Sequence, residues 1–143
     1  MSTRRRAREV AFQVLYQDDL NPRGNPAERD QFIRRRLQGE LTEFARDLVA
    51  GVRRHRAELD ETLAAKAEHW SIHRMAATDR NILRLGAYEI LRTDVPDRVA
   101  IDEAVELAKR FGTQKSARFV NGLLDRVMHG REPAEPGPSP ATS

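Results

Sequence analysis

Apolar residues recur along this chain at three- and four-residue spacing, in segments divided by short clusters of glycine, proline and asparagine, and that rhythm favours helices over strands. The first segment, from about Arg4 to Leu20, carries Ala7, Val10, Ala11, Val14 and Leu15 on one face and stops before Asn21-Pro22-Arg23-Gly24. Asn25 as N-cap, Pro26 at the first helical position and Glu28 as the carboxylate of a capping box predict a second helix holding Phe32, Ile33 and Leu37, ended by Gly39. Thr42 is the expected cap of a long third helix whose stripe runs through Phe44, Ala45, Leu48, Val49 and Val52 to Leu59 and Leu63. A connector, Trp70-Ser71-Ile72-His73-Arg74-Met75, leads to a fourth helix opened by Thr78 or Asp79 and running to Arg92. That helix is apolar on more than one side and is therefore expected to be central. After Asp94-Val95-Pro96-Asp97, a fifth helix presents Ile101, Ala104, Val105, Ala108 and Phe111 and stops at Gly112. The sixth starts between Thr113 and Ser116, turns Phe119, Val120, Leu123, Leu124 and Val127 inward, and is expected to end at Gly130. The fold class is all-α.

A chain of 143 residues can bury about two thirds of its unfolded surface, so one domain over residues 1–130 needs no metal or disulfide to hold it. Residues 131–143, where Pro133, Pro136, Pro138 and Pro140 alternate with small and acidic residues, are expected to be a disordered tail. Cysteine is absent, which removes thiol catalysis and cysteine metal sites. The amino terminus has no apolar signal region and no window suits a membrane span, so a soluble, cytoplasmic protein without membrane contact is expected.

The net charge of +3 conceals an uneven distribution: Arg4, Arg5, Arg6 and Arg8 crowd the start of the first helix. Cations there oppose the helix macrodipole, and Arg4 with Arg8 forms a like-charge pair one turn apart. A polyanion would supply the missing counter-charge, because guanidinium forks grip phosphate and helix-opening amides suit an anion. The alternative is a solvated basic terminus.

The run from Val99 to Gly112, followed by Ser116 and Phe119-Val120-Asn121-Gly122-Leu123-Leu124-Asp125, closely resembles the NusB family of bacterial transcription antitermination factors. Three further blocks agree in order and spacing: Arg5-Arg6-Ala7-Arg8-Glu9 with Leu15-Tyr16, Ile82-Leu83-Arg84-Leu85 with Tyr88-Glu89, and Asp94-Val95-Pro96. The resemblance implies two three-helix subdomains, no enzymatic activity and no cofactor. It further implies binding of the single-stranded boxA element of ribosomal RNA transcripts as a heterodimer with ribosomal protein NusE, in a complex with other Nus factors and RNA polymerase. Homodimers are the other assembly that it implies.

Carried onto this sequence, the RNA-binding set is Arg4, Arg5, Arg6 and Arg8, with Gln13 as a base-edge reader, and Lys109, Phe111, Gln114, Lys115, Ser116, Arg118 and Phe119 around the turn between helices five and six. Phe111 and Phe119 also lie on apolar stripes and have an equal reading as core. Lys115 stands where some relatives carry an acidic residue, a change that strengthens phosphate attraction. The NusE face falls on Tyr16 and Asp79, with Arg80 and Arg84 as neighbours. Asp79 has an equal reading as a carboxylate serving its own helix. In the same vein, Asn121 is expected to be buried, Gly122 to mark a close helix contact, and Glu89 to pair with Arg84 or Arg92.

Competing functions find less support. His69 and His73 are four apart, but the residues between them lack the glutamate of a zinc-protease motif. Similar helices occur in the RNA-binding domain of certain ribosomal RNA cytosine methyltransferases, and a chain ending at Ser143 leaves no room for their catalytic domain. A helical protein-interaction module without RNA contact is the remaining alternative.

Overall fold

The computed structural model describes residues 3–68 and 70–131. Of the expected tail over 131–143, Arg131 closes the last helix and the rest, like His69, lies outside the described residues. Among the described residues there are six α-helices: α1 (Arg4–Leu20), α2 (Pro26–Arg36), α3 (Glu40–Lys66), α4 (Ala77–Arg92), α5 (Asp97–Phe111) and α6 (Ser116–Arg131). A short 3-10 turn, Ile72–Arg74, bridges α3 and α4. Helices α1 to α3 pack on one another, as do α4 to α6, and α4 lies against both α1 and α3. The two triplets therefore share one continuous apolar core, with Val10, Leu59, Leu63, Ile82, Leu83, Ile90, Ile101 and Leu123 buried in it.

Local chemistry sets most of the boundaries. The Thr3 hydroxyl accepts from the Arg6 amide at 3.2 Å and opens α1, and the Asn25 carboxamide accepts from the Ala27 amide at 2.9 Å to open α2. Helix α3 departs from expectation. It begins at Glu40 behind Gly39, whose φ of +58° is left-handed and costs a glycine little, and Thr42 is buried inside its first turn. Helix α4 likewise opens on Ala76 without a side-chain cap, which places Asp79 in the first turn rather than at the cap. Helix α6 continues past Gly130 to Arg131.

Two glycines allow helices to meet. A Cβ on Gly86 would stand 2.6 Å from Leu124 Cδ1 and 3.3 Å from Ala104 Cβ, so α4 is seated between α5 and α6 by the absence of that atom. A Cβ on Gly51 would overlap the Tyr88 ring, which fixes α3 against α4 in the same way. Gly122 does not play this part: the nearest atom to an added Cβ is an Arg126 guanidinium nitrogen at 3.9 Å. Asn121 is exposed rather than buried, because it lies on the outer side of α6.

The polar interior is dominated by arginine forks. Arg8, only 5% exposed, donates through Nε and Nη2 to both carboxylate oxygens of Glu89, itself 1% exposed, at 2.9–3.1 Å. Glu89 thus pairs with α1 and not with Arg84 or Arg92 as expected. Those two serve α3 instead: Arg84 grips Asp60 at 2.7 and 3.0 Å, and Arg92 grips Glu58. At the far end of α1, Asp19 accepts from Arg80 at 2.8 Å, Asn81 at 2.9 Å and Arg56 at 3.3 Å, with Arg84 Nη1 at 3.6 Å. Arg80 Nη1 also donates to the carbonyls of Ile72, His73 and Met75, tying the connector to the same knot.

Two stability predictions follow from these pairs. Replacing Arg8 by alanine leaves the Glu89 carboxylate buried without its cation and is expected to cost about 3–5 kcal/mol, whereas replacing both residues by leucine recovers most of that loss; calorimetric melting compares the three proteins. Burial pushes the Asp19 carboxyl up, but hydrogen bonds from Arg80 and Asn81 and the charges of Arg80 and Arg84 outweigh it and hold the group below its ordinary 3.8. A depressed carboxylate stabilises the fold above its unfolded pKa, and that contribution drains away as pH falls through the folded value. Asp19→Asn is therefore expected to flatten the acid limb of a Tm-against-pH curve below about pH 4.

Candidate nucleic-acid interface

The arginine head of α1 is met from within the fold more than its sequence suggests. Arg5 is exposed and makes a two-pronged bond to Glu103 of α5, at 3.0 and 3.2 Å. Its guanidinium is held above the ordinary arginine range, chiefly by that hydrogen bond and then by the Glu103 charge. Arg6 reaches Glu9 at 3.1 Å, and Arg110 of α5 approaches the same carboxylate at 3.6 Å. Arg4 has no carboxylate partner among the described residues; its guanidinium lies 4.7 Å from the centre of the Phe44 ring. Glu103 also lies 3.9 Å from Arg8, so Glu9 and Glu103 each serve two arginines. The local balance stays cationic, and the exposed pairs are screened and open to exchange for an external anion.

Arg8 stands apart from its three neighbours. Its fork is filled by Glu89, so the structure turns it into the core rather than toward a ligand.

Beside this head, a recess of about 280 Å³ is framed by Phe12, Gln13, Tyr16, Thr78 and Phe111. Gln13 is half-buried and its Oε1 has no hydrogen-bond partner. Phe111 packs its ring 5.0 Å from that of Phe12, and the Tyr16 ring lies 6.0 Å from the same ring. Tyr16 and Gln13 also border a groove of about 530 Å³ that runs between α1 and α2 past Leu20 and Phe32. Lys109 is exposed near the end of α5 and pairs loosely with Glu106 at 3.5 Å.

The turn between α5 and α6 forms the second part of the site. Gln114, Lys115 and Arg118 are exposed, while Ser116 is buried. The Ser116 hydroxyl accepts from the Thr113 amide at 2.9 Å and packs against Gly112, so this residue shapes the turn instead of facing a ligand. Phe119 is half-buried and meets Trp70 edge to face at 5.8 Å. Between them opens a cavity of about 600 Å³, with Arg74, Asp79, Lys115 and Arg118 in its walls.

The expected NusE-face residues divide by burial. Tyr16 and Asp79 are partly exposed, whereas Arg80 sits in the Asp19 knot and Arg84 is 2% exposed on Asp60. The sequence reading missed Trp70, Arg74 and Arg110 as parts of the site. A lone tryptophan in a polar connector four residues before an arginine was the available signal for the first two. Arg110 sits beside Phe111, but its proximity to Glu9 depends on how α5 docks against α1.

The sequence and the helical fold match those of known proteins. A family model described as the NusB family matches residues 5–129. The transcription antitermination protein NusB of Anaeromyxobacter dehalogenans (strain 2CP-1 / ATCC BAA-258) is 45% identical over 138 residues, spanning 95% of this chain and 97% of that protein. NusB of T. maritima superposes with a TM-score of 0.80 at 36% identity, covering 90% of this chain and 92% of the other. The NusB chain in a crystal structure of antitermination factors NusB and NusE in complex with dsRNA gives a TM-score of 0.77 at 32% identity, over 89% of this chain and 96% of that one. Matched through all six helices by sequence and by fold, this chain belongs to the NusB family.

Proposed function

We propose that this protein is a transcription antitermination factor that binds boxA-type single-stranded RNA of ribosomal RNA transcripts as a heterodimer with ribosomal protein NusE. It works in the cytoplasm, without catalysis, as one component of an assembly with other Nus factors on RNA polymerase. The observation that carries this reading is membership of the NusB family over residues 5–129, to which the structure adds exposed cations at the head of α1 and at the turn before α6 and a recess lined by Gln13 and Phe111. Cations along the phosphates with aromatic planes between them suit unstacked bases, which only a single strand offers. A crystal structure of antitermination factors NusB and NusE in complex with dsRNA supports NusE and RNA as the classes of partner.

Within this surface Arg4, Arg5 and Arg6 hold phosphate, Arg5 and Arg6 by releasing Glu103 and Glu9. Gln13, whose side chain lines the recess, is assigned to a base edge. Lys109, Gln114, Lys115 and Arg118 continue the track, with Phe111 as an apolar wall. Arg8 and Ser116 support it from beneath, through Glu89 and Thr113. NusE is assigned to Tyr16 and the groove between α1 and α2, and Arg80 and Arg84 contribute by fixing the end of α1 through Asp19.

About four to six neutralised phosphates give a slope near −3 to −4 in log K against log salt, at about −0.7 per contact on a single strand. Joint replacement of Arg4, Arg5 and Arg6 by alanine is expected to flatten this slope by about 2. Arg8 is left intact so that the fold is not the variable. Binding of labelled boxA RNA, with and without NusE across a salt series, measures it; unchanged affinity and slope would refute the assignment.

A further inference from the structure

We infer that Glu9 and Glu103 are built-in stand-ins for phosphate: in the free protein they fill the guanidinium forks that RNA must use, and so they set how weakly the arginine head holds RNA at large. The inference rests on the RNA-binding reading and concerns the strength of that same surface. Its basis is a division of burial within each pair. The Glu103 side chain is 15% exposed and that of Glu9 13%, whereas Arg5 and Arg6 are 56% and 37% exposed. The acids lie low on the surface, and the arginines that cover them face outward.

Geometry sets the two kinds of anion in competition. Arg5 points Nε and Nη2 at the two carboxylate oxygens of Glu103, 3.2 and 3.0 Å away, the same two-pronged pattern with which a guanidinium takes phosphate. Arg6 gives Nη1 to Glu9 at 3.1 Å. A strand approaching the unfilled edges would meet pairs already neutralised, each with a carboxylate behind it that repels phosphate. Full attraction requires Arg5 and Arg6 to turn outward and leave the acids.

That departure is made easy because each acid has a second arginine. Arg110 stands 3.6 Å from Glu9, and Arg8, itself anchored on Glu89, stands 3.9 Å from Glu103. A carboxylate freed by Arg5 or Arg6 keeps a cation beside it, so exchange for phosphate strands no charge. Pairs that served only to hold α5 against α1 would not need the outward arginines, since Arg8 and Arg110 already span that junction. Asp102, exposed beside Glu103 on α5 and without an arginine partner among the described residues, isolates the effect of charge alone.

The full chain with NusE is titrated with labelled boxA-type RNA and, separately, with polyadenylate RNA, at one fixed salt concentration. Glu103→Gln and Glu9→Gln should each tighten both RNAs about two- to five-fold, the scale of one exposed ion pair, and Asp102→Asn should do so by clearly less. In an Arg5→Ala background Glu103→Gln should gain no more than Asp102→Asn does, and Arg6→Ala should silence Glu9→Gln in the same way. Thermal melting checks that each variant is folded; should Glu103→Gln melt early through its contact with Arg8, the Glu9 cycle decides alone. Weaker RNA binding by the folded glutamine variants means that the acids orient the arginines within the complex, and it overturns the inference. Tightening no greater than that of Asp102→Asn, or undiminished after Arg5→Ala and Arg6→Ala, reduces the acids to a general field and overturns it as well; both results leave the RNA-binding function standing. Failure of the unaltered protein and of every variant to bind either RNA overturns the function and the inference together.

Discussion

The Arg8–Glu89 pair is the constraint around which the two helical triplets are joined. Both groups are taken out of water, a cost that only an opposite charge in good geometry offsets, and each finds its partner on a helix of the other triplet. Apolar contact alone would let α1 slide or rotate against α4. A two-pronged fork does not, because turning α1 by one residue would leave a guanidinium and a carboxylate buried apart. The register of α1 then sets which arginines face outward, and so an interior ion pair fixes the orientation of the external cationic face.

Much of this architecture was legible along the chain. The bounds of α1 were readable from its apolar stripe and the Asn21-Pro22 stop, and α2 from Asn25 and Pro26, because those signals act within a few residues. Where caps are backbone conformations, the sequence misleads: Thr42 looks like a cap, yet Gly39 supplies the left-handed turn and Thr42 is buried a turn later. The glycines show the same limit from another side. Gly122 is conspicuous in its helix and touches little, whereas Gly86 and Gly51 govern packing because of residues that are distant in sequence.

The site was legible in its chemical types and less so in its members. Four arginines within five positions look equivalent, but Arg8 shares its helical face with Ala11, Phe12 and Leu15, all buried, and that spacing already marked it as inward. Ser116 could have been read as closing the turn after Gly112, since a hydroxyl three residues beyond Thr113 can reach back to its amide. The counter-charges on Arg5 and Arg6 come in part from α5, and no local pattern announces a pair separated by 98 positions. Trp70 lies in the connector, outside every helical stripe, so no periodicity marked where its ring would face.

The bonds from Arg80 to Asp19 and to the connector carry a consequence for how the molecule is made. The bond to Asp19 spans 61 positions, so its closure waits until α1 and α4 have found each other. The carbonyls of Ile72, His73 and Met75 meet the Nη1 side of the same guanidinium whose Nε binds Asp19, so one side chain joins the connector to the end of α1. The wall beside Trp70 is thus closed by bonds five to eight residues apart, and the long-range bond to Asp19 holds that local unit against α1. A nascent chain still lacking α4 would have its arginine head on display while the connector has yet to take its final course.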